Sequence, residues 1–223
     1  MQSRGMRAEF VMLLGVVGGL GFVGFIFFLA KRANERGHQN LEQLARRLGL
    51  TLPPQRKQFG FWPNARGAGL FRGKPAELYA FTTGSGKSRE RWVALALTPK
   101  AAGGLTFRIT RQGFGSRVAE LFGAREITIG DPAFDDRWFI QTNQPEFFAA
   151  ALIPELRARL NQAVDASGRA HRAALKLENA SVVYAEAGDF SNDRLCERLA
   201  RIAEVVADLA DVAEVFAESQ SSR

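Results

Sequence analysis

The sequence predicts an α+β protein: one apolar N-terminal helix, then a mainly antiparallel sheet with a long C-terminal helix packed on it. Three observations predict this. Residues 10–30 form an uninterrupted apolar run. Short stretches rich in β-branched and aromatic residues follow at 76–82, 91–98 and 105–111, bounded by Gly, Pro and Ser. Residues 192–218 carry an apolar repeat at helical spacing. Strands that follow one another, rather than alternating with helices, indicate α+β and not a parallel α/β sheet. The chain has 223 residues, and about 190 of them lie beyond the apolar run, enough for one domain with a core. Of the chain's eighteen Phe, thirteen lie beyond the apolar run, and with three Trp they give that domain much to bury, which argues against global disorder.

The apolar run reads FVMLLGVVGGLGFVGFIFFLA and contains no charged residue. As a helix it measures about 30 Å, the thickness of a hydrocarbon core. Arg7 and Glu9 precede it and Lys31 and Arg32 follow. A cleaved signal peptide has a shorter apolar region, of about 7–15 residues, and a small-residue exit; here the exit is Phe-Phe-Leu-Ala-Lys. An uncleaved membrane anchor is therefore expected. Arg4 and Arg7 stand before it, against Lys31, Arg32, Arg36, Arg46 and Arg47 after it, so the positive-inside rule places the C-terminal domain in the cytoplasm. Gly15 and Gly19 make a GxxxG pair that would let two such helices approach closely, although glycine is also simply common in membrane helices.

Beyond the anchor, residues 40–50 carry Leu41, Leu44, Ala45 and Leu48 at helical spacing, with Asn40 as N-cap and Gly49 as stop. Residues 55–74 read as turn-rich, with basic and aromatic residues mixed. The three strand stretches come next, then a pair at 126–129 and 137–141 around the Asp131-Pro132 turn. Residues 145–161 are helical, with Pro154 kinking the helix or starting a second one. A hairpin turns at Asn179 between 174–178 and 182–186. Ser191 is the expected N-cap of the final helix. Strands closed by a terminal helix also suit a pleckstrin-like half-barrel, an analogy that says nothing about function.

No catalytic or cofactor constellation stands out. Gly84-Ser85-Gly86-Lys87-Ser88 has part of a phosphate-binding loop, but Phe81 occupies the position of the first glycine and a strand, not a helix, follows. A turn between two strands explains it better. Asp131, Asp135 and Asp136 are dense enough to hold a hard cation, but no further ligand pattern accompanies them and Asp-Pro is an ordinary turn pair. Cys196 is the one cysteine, so no internal disulfide can form, and its leucine neighbours suggest a buried structural thiol. His38 and His171 lack metal-ligand spacing and read as solvated. No cofactor or metal is implied.

Charge is distributed unevenly. The net charge is +7, with 18 Lys/Arg against 5 Asp/Glu between residues 31 and 125, and 10 against 17 from 126 to 223. A basic half next to the anchor suggests attraction to an anionic surface. The basic-aromatic stretch fits a lipid interface better than nucleic acid because it begins close to the anchor. Lys31, Arg32, Arg36, Arg56, Lys57, Phe61, Trp62 and Arg66 are the lipid-surface candidates. In the final helix Leu195, Leu199, Ile202, Val206, Leu209, Ala213 and Phe216 follow alternating spacings of four and three. That seam serves either packing on the chain's own sheet or a coiled-coil partner, and Val205, Val212 and Val215 widen it. Arg194, Arg198 and Arg201 early in this helix, and Asp208, Asp211, Glu214 and Glu218 late, oppose the helix dipole, which costs stability unless neighbours compensate.

The segment GDPAFDDRWFIQTN at 130–143, then LIPELRARL at 152–160, then the hairpin and long helix, resembles a group of bacterial membrane-anchored proteins with one N-terminal span and a GDxxFDxxF-like motif. The sharp element is Phe134-Asp135-x-x-Trp138/Phe139. The resemblance implies the inner (plasma) membrane of a bacterium and assigns no catalytic residue. The expected organisation is a tail at 1–9, a transmembrane helix at 10–30, a juxtamembrane basic helix and linker at 31–55, one α+β domain at 56–218 and a tail at 219–223. The expected function is a membrane-tethered binding or scaffold module, not an enzyme, with anionic lipid, a second copy or another protein as partner. The alternative is an enzyme with an acidic site at Asp131, Asp135 and Asp136.

Overall fold

Tight turns between apolar stretches build one sheet in the computed structural model, which describes residues 3–111, 125–165 and 172–222, excepting the side chains of 3–18, Leu20 and Asp165. The first element is a helix, α1 (Ser3–Arg47). Four strands follow: β1 (Leu50–Thr51), β2 (Gly67–Phe71), β3 (Lys74–Thr83) and β4 (Glu90–Leu97). Then come β5 (Phe107–Arg111), β6 (Arg125–Ile127), the short α2 (Pro132–Asp135) and β7 (Trp138–Thr142). Helices α3 (Pro145–Ala151) and α4 (Pro154–Asp165), the hairpin β8 (Ala173–Glu178) and β9 (Ser181–Ala187), and α5 (Asp193–Ser221) complete it.

The spatial order is β1-β2-β3-β4-β9-β8-β5-β7-β6, and every neighbouring pair is antiparallel. Among the described residues these strands make one nine-stranded sheet with β1 and β6 at its edges. Two-residue turns at Arg72-Gly73 and Asn179-Ala180 have positive φ throughout, the geometry that matches strand twist in a hairpin. Because side chains alternate across a strand, register decides which residues share a face. Leu78, Leu95, Tyr184, Leu175, Ile109 and Ile140 stand in one row across six strands. All six are buried. Helix α5 lies on this face against β4 and β9, flanked by α4 and by the C-terminal part of α1.

Below α5 the core holds a polar cluster. Glu186 and Arg198 are 3% and 5% exposed. Arg198 Nε donates to both carboxylate oxygens of Glu186 at 3.1 Å, and its Nη2 donates to Oε1 as well. Tyr184 donates its hydroxyl to Glu186 Oε2 at 2.8 Å. Burial, reinforced by the Glu186 charge, raises the Tyr184 phenol well above its ordinary pKa. A buried ion pair is tolerated only when its remaining groups are satisfied in this way.

Several expectations change. α1 does not break after the apolar run: it is continuous through Arg47, so residues 31–47 prolong one helix and no new helix starts at Asn40. Asn40 caps nothing; its Nδ2 donates to Phe190 O and to Asp193 Oδ1, both at 2.8 Å. The turn-rich segment contains β2, which pairs with β3 along its whole length. Asn192, not Ser191, caps α5, accepting from Leu195 N at 3.2 Å. Pro154 does start a second helix. Among the described residues no helix is long and apolar enough to cross a membrane; most side chains of residues 10–20 lie outside those described.

Candidate functional site

The residues singled out for a lipid surface converge where α1 enters the domain. Asn34 grips the backbone of Trp62 on both sides: Trp62 N donates to Asn34 Oδ1 at 2.6 Å, and Asn34 Nδ2 donates to Trp62 O at 3.0 Å. The indole stacks on His38 with centroids 3.8 Å apart and planes 10° from parallel. His38 is therefore packed rather than solvated; its side chain is 10% exposed and its Nε2 lies 3.2 Å from Glu42. Trp62 Nε1 donates to Glu35 Oε2 at 3.0 Å, Lys57 pairs with Glu35, and the Lys57 ammonium sits 5.0 Å over the indole. The Lys57 hydrogen bond, then the Trp62 indole, hold the Glu35 carboxyl below its ordinary pKa.

One residue earlier, the Phe61 ring meets Phe27 of α1 edge-on, with centroids 5.3 Å apart. Phe61 also closes a small turn, exchanging backbone hydrogen bonds with Gln58 at 2.8 and 2.9 Å. Between them Phe59 and Gly60 have φ of 51° and 81°. A left-handed conformation costs a non-glycine residue about 1–2 kcal/mol, and Asn would be the usual choice. Here Phe59 occupies it with its side chain 100% exposed. The described apolar part of α1 is also bare: Phe22, Val23, Phe25, Ile26, Phe27, Phe28 and Leu29 are all exposed.

The cations divide into two groups. Arg36 Nε donates to Asp193 Oδ1 at 3.1 Å and its Nη2 pairs with Oδ2, tying α1 to the start of α5. Arg66 pairs with Glu77 at 3.0 Å and lies 4.7 Å over Tyr79. With Lys57 these are spent within the domain. Lys31, Arg32 and Arg56 are exposed; Lys31 lies within electrostatic reach of Glu35, and among the described residues no ion pair joins any of the three to a carboxylate.

Sequence reasoning missed a further basic element, the β3–β4 turn. Gly86–Ser88 forms a short 3-10 turn there. A Cβ on Gly84 would stand 2.4 Å from Ser88 O, and its φ is +74°, so this glycine serves the turn and not a phosphate. Lys87, Arg89 and Arg91 are exposed and unpaired among the described residues, while Glu90 is taken by Arg172. A cleft of about 360 Å³ separates this end of the sheet from α1; Ala30, Asn34, His38, Phe61, Arg91 and Asp189 line it.

The α5 seam is not offered to a partner. Leu195, Leu199, Ile202, Val206, Leu209, Ala213 and Phe216 are all buried in the domain core. Val205 joins them, Val212 packs at the edge, and Val215 is exposed. The acidic end of α5 has its compensation. Arg72 Nη1 reaches Asp208 at 2.7 Å and Glu204 at 3.4 Å, and its Nη2 reaches Asp211 at 2.9 Å. Lys74 Nζ pairs with Asp211 at 2.9 Å and Glu214 at 2.6 Å. Arg159 Nη1 adds an ion pair with Asp208 at 2.8 Å.

The aspartates of the alternative reading serve the backbone. Asp135 accepts from Ile129 N and Gly130 N, both at 2.9 Å. Asp131 caps α2, accepting from Phe134 N at 3.3 Å, and faces Arg157 at 3.3 Å. Asp136 is exposed at the end of α2. Phe134 is buried, and Trp138, also buried, donates from Nε1 to Asn161 Oδ1 at 2.8 Å, so the Phe-Asp-x-x-Trp element pins a corner of the sheet. Among the described residues no group of three His, Cys, Asp or Glu could hold a metal ion. Burial, then Asp193, pushes the Cys196 thiol up to about 12, which makes it a poor nucleophile. Gly19 has open space where a Cβ would stand; the surroundings of Gly15, and His171 altogether, lie outside the described residues.

No family model matches the chain, and no curated protein does. Among solved structures, the crystal structure of the mycobacterial trehalose monomycolate transport factor A, TtfA, is similar over 79% of this chain and 93% of that one, at 11% identity and a TM-score of 0.48. A likeness at that distance carries no argument about what this chain does.

Proposed function

We propose that the chain is a single-pass, membrane-tethered binding or scaffold module. In this reading residues 10–30 of α1 cross the inner (plasma) membrane of a bacterium. The domain stands on the cytoplasmic side, and its near face, with Lys31, Arg32 and Arg56 free, lies against anionic lipid. Paired helices would meet at Gly15 and Gly19. The observation that carries the reading is the continuity of α1. The bare apolar turns at 22–29 and the domain-packed turns at 41–48 belong to one helix, and Phe61 closes on Phe27 between them. A stretch this apolar and this exposed is unstable in water, whereas lipid satisfies it. The aspartate-centred enzyme has no support in the site, because Asp131 and Asp135 are committed to backbone hydrogen bonds.

Two measurements on the full chain test this. Alkaline carbonate should leave it in the membrane pellet, and release into the supernatant would refute the span. A Ser222→Cys variant in a Cys196→Ala background should stay unlabelled by an impermeant maleimide in intact cells and react after lysis. Rapid labelling of intact cells would reverse the orientation.

A further inference from the structure

We propose that two turns, Phe59-Gly60 and the β3–β4 turn carrying Lys87 and Arg89, dock on the anionic leaflet from which α1 emerges, so that the domain lies on the bilayer in one orientation. The proposal rests on the membrane-span reading above and goes beyond a simple tether, on which the domain would tumble.

Depth places the first turn. Phe27 is three residues inside the end of the apolar run, about 4.5 Å along a helix. Phe61 packs on Phe27, and Phe59 is two residues from Phe61, so their Cα atoms are at most about 7 Å apart. Trp62, the next residue, is held further into the domain by Asn34 and His38. The turn therefore points toward the apolar end of α1. A fully exposed aromatic ring in a left-handed conformation is poorly explained by folding, since a polar residue would suit that position better in water. At the boundary between headgroups and acyl chains the ring has a partner, because an exposed Phe there buries its apolar surface in lipid.

Direction places the second turn. At the start of β3, Lys74 meets Asp211 and Glu214, far along α5. Toward the end of β3, Ala80 shares a cleft with Ala30 and Ala33 of α1 and with Asp189, just before α5 begins. The strand thus runs toward the membrane end of the domain, and Phe81–Thr83 carry it about 10 Å further. Lys87 and Arg89 stand at this tip. Most acids nearest this end are paired, Glu35 with Lys57, Glu77 with Arg66, Glu90 with Arg172 and Asp193 with Arg36, while Asp189 accepts from Ser191 N and Oγ. With Lys31, Arg32 and Arg56 the tip gives this side of the domain an excess of positive charge over the one carboxylate there, Asp189, that no cation pairs with among the described residues. Phosphate-bearing anionic headgroups attract such a cluster, and the attraction fades beyond a Debye length.

The full chain, in a Cys196→Ala background, would be placed in nanodiscs of phosphatidylcholine, with or without phosphatidylglycerol. An environment-sensitive fluorophore would be attached at Phe59→Cys, Ser85→Cys or Glu218→Cys, and quenching by spin-labelled lipid read. With phosphatidylglycerol, the probes at positions 59 and 85 should be quenched severalfold more than the probe at 218, on the far end of α5. Raising the salt, or adding Lys87→Glu with Arg89→Glu, should free the probe at 85. A probe at 59 or 85 quenched no more than the one at 218 overturns the docking while leaving the span intact. Quenching at 85 that ignores both salt and charge reversal also overturns it. A chain that fails to enter the discs refutes the span, and the docking with it.

Discussion

Two turns of β3 carry basic residues, and they meet opposite fates. At one end Arg72 and Lys74 plug into the acidic side of α5, making bonds to Glu204, Asp208, Asp211 and Glu214. At the other end Lys87 and Arg89 stand in the open with no carboxylate among the described residues. The chain's charge asymmetry is therefore two things. Part of it is internal bookkeeping, in which a basic hairpin offsets the unfavourable charges that α5 carries against its own dipole. The rest is a surface gathered at one end. Composition weighs the two turns alike; only the neighbours separate them.

The contrast is broken most severely by removing the platform on which the paired turn sits. Glu186→Ala leaves Arg198 charged and buried, and should cost about 3–5 kcal/mol in urea unfolding. Replacing both partners with Met should restore most of that loss, and a double variant no better than the single would mean the pair is worth more than its geometry suggests. Leu209→Ala empties a wholly buried site under α5 and should cost about 2–5 kcal/mol. Leu209→Asp should unfold the domain at every concentration, seen by circular dichroism. A folded monomer would show that the seam serves a partner.

The paired turn itself comes next. Lys74→Met should cost about 1–3 kcal/mol, because Asp211 and Glu214 lose a charged hydrogen bond at a site where Lys74 is largely buried. Burial raises the Glu214 carboxyl, but the hydrogen bonds from Lys74 and the Lys100 N–H outweigh it, so its pKa falls below the ordinary value. Burial lowers Lys74, and its bonds to Glu214 and Asp211 outweigh that in turn, raising it. A depressed carboxyl stabilises the fold above the ordinary value of about 4.3 and loses that contribution as pH falls through the folded value. A raised lysine does so below about 10.4 and loses its contribution as pH rises further. The gap in stability between wild type and Lys74→Met should thus be widest between about pH 5 and 10 and narrow toward acid. The smallest effect belongs to the bare turn. Lys87→Glu with Arg89→Glu should change unfolding by no more than about 0.5 kcal/mol, and a larger loss would mean that the turn is paired after all.

The strands were legible where they were apolar. Residues 91–98 and 105–111 read as strands, and β4 and β5 run within them to a residue or so. β2 was not legible, because GAGLF has neither alternation nor β-branched residues. Its glycines answer to packing: a Cβ on Gly69 would stand 3.1 Å from Gly49 O and 3.2 Å from Leu50 Cα. The cap moved from Ser191 to Asn192 because Ser191 is held by Asp189, a contact between near neighbours that propensity does not weigh. For the candidate surface, sequence named the region but not its sorting. Arg36 and Arg66 differ from Arg32 and Arg56 only in having Asp193 and Glu77 beside them. Phe59 passed as one aromatic among several, since exposure is not written in a residue's type.

The sequence by itself determined the helix at each end, the antiparallel class and the polarity of charge along the chain, because these follow from local period, turn chemistry and composition. Tertiary structure decided which apolar stripe is covered and which cations are left over. The α5 seam and the apolar turns of α1 are equally hydrophobic on paper, yet Ile202 is wholly buried and Phe27 is 55% exposed. The physical reason is that burial and ion pairing are relations between distant segments. Strand register brings Leu95 beside Tyr184, the fold brings Arg72 beside Asp208, and neither can be read before the sheet has closed.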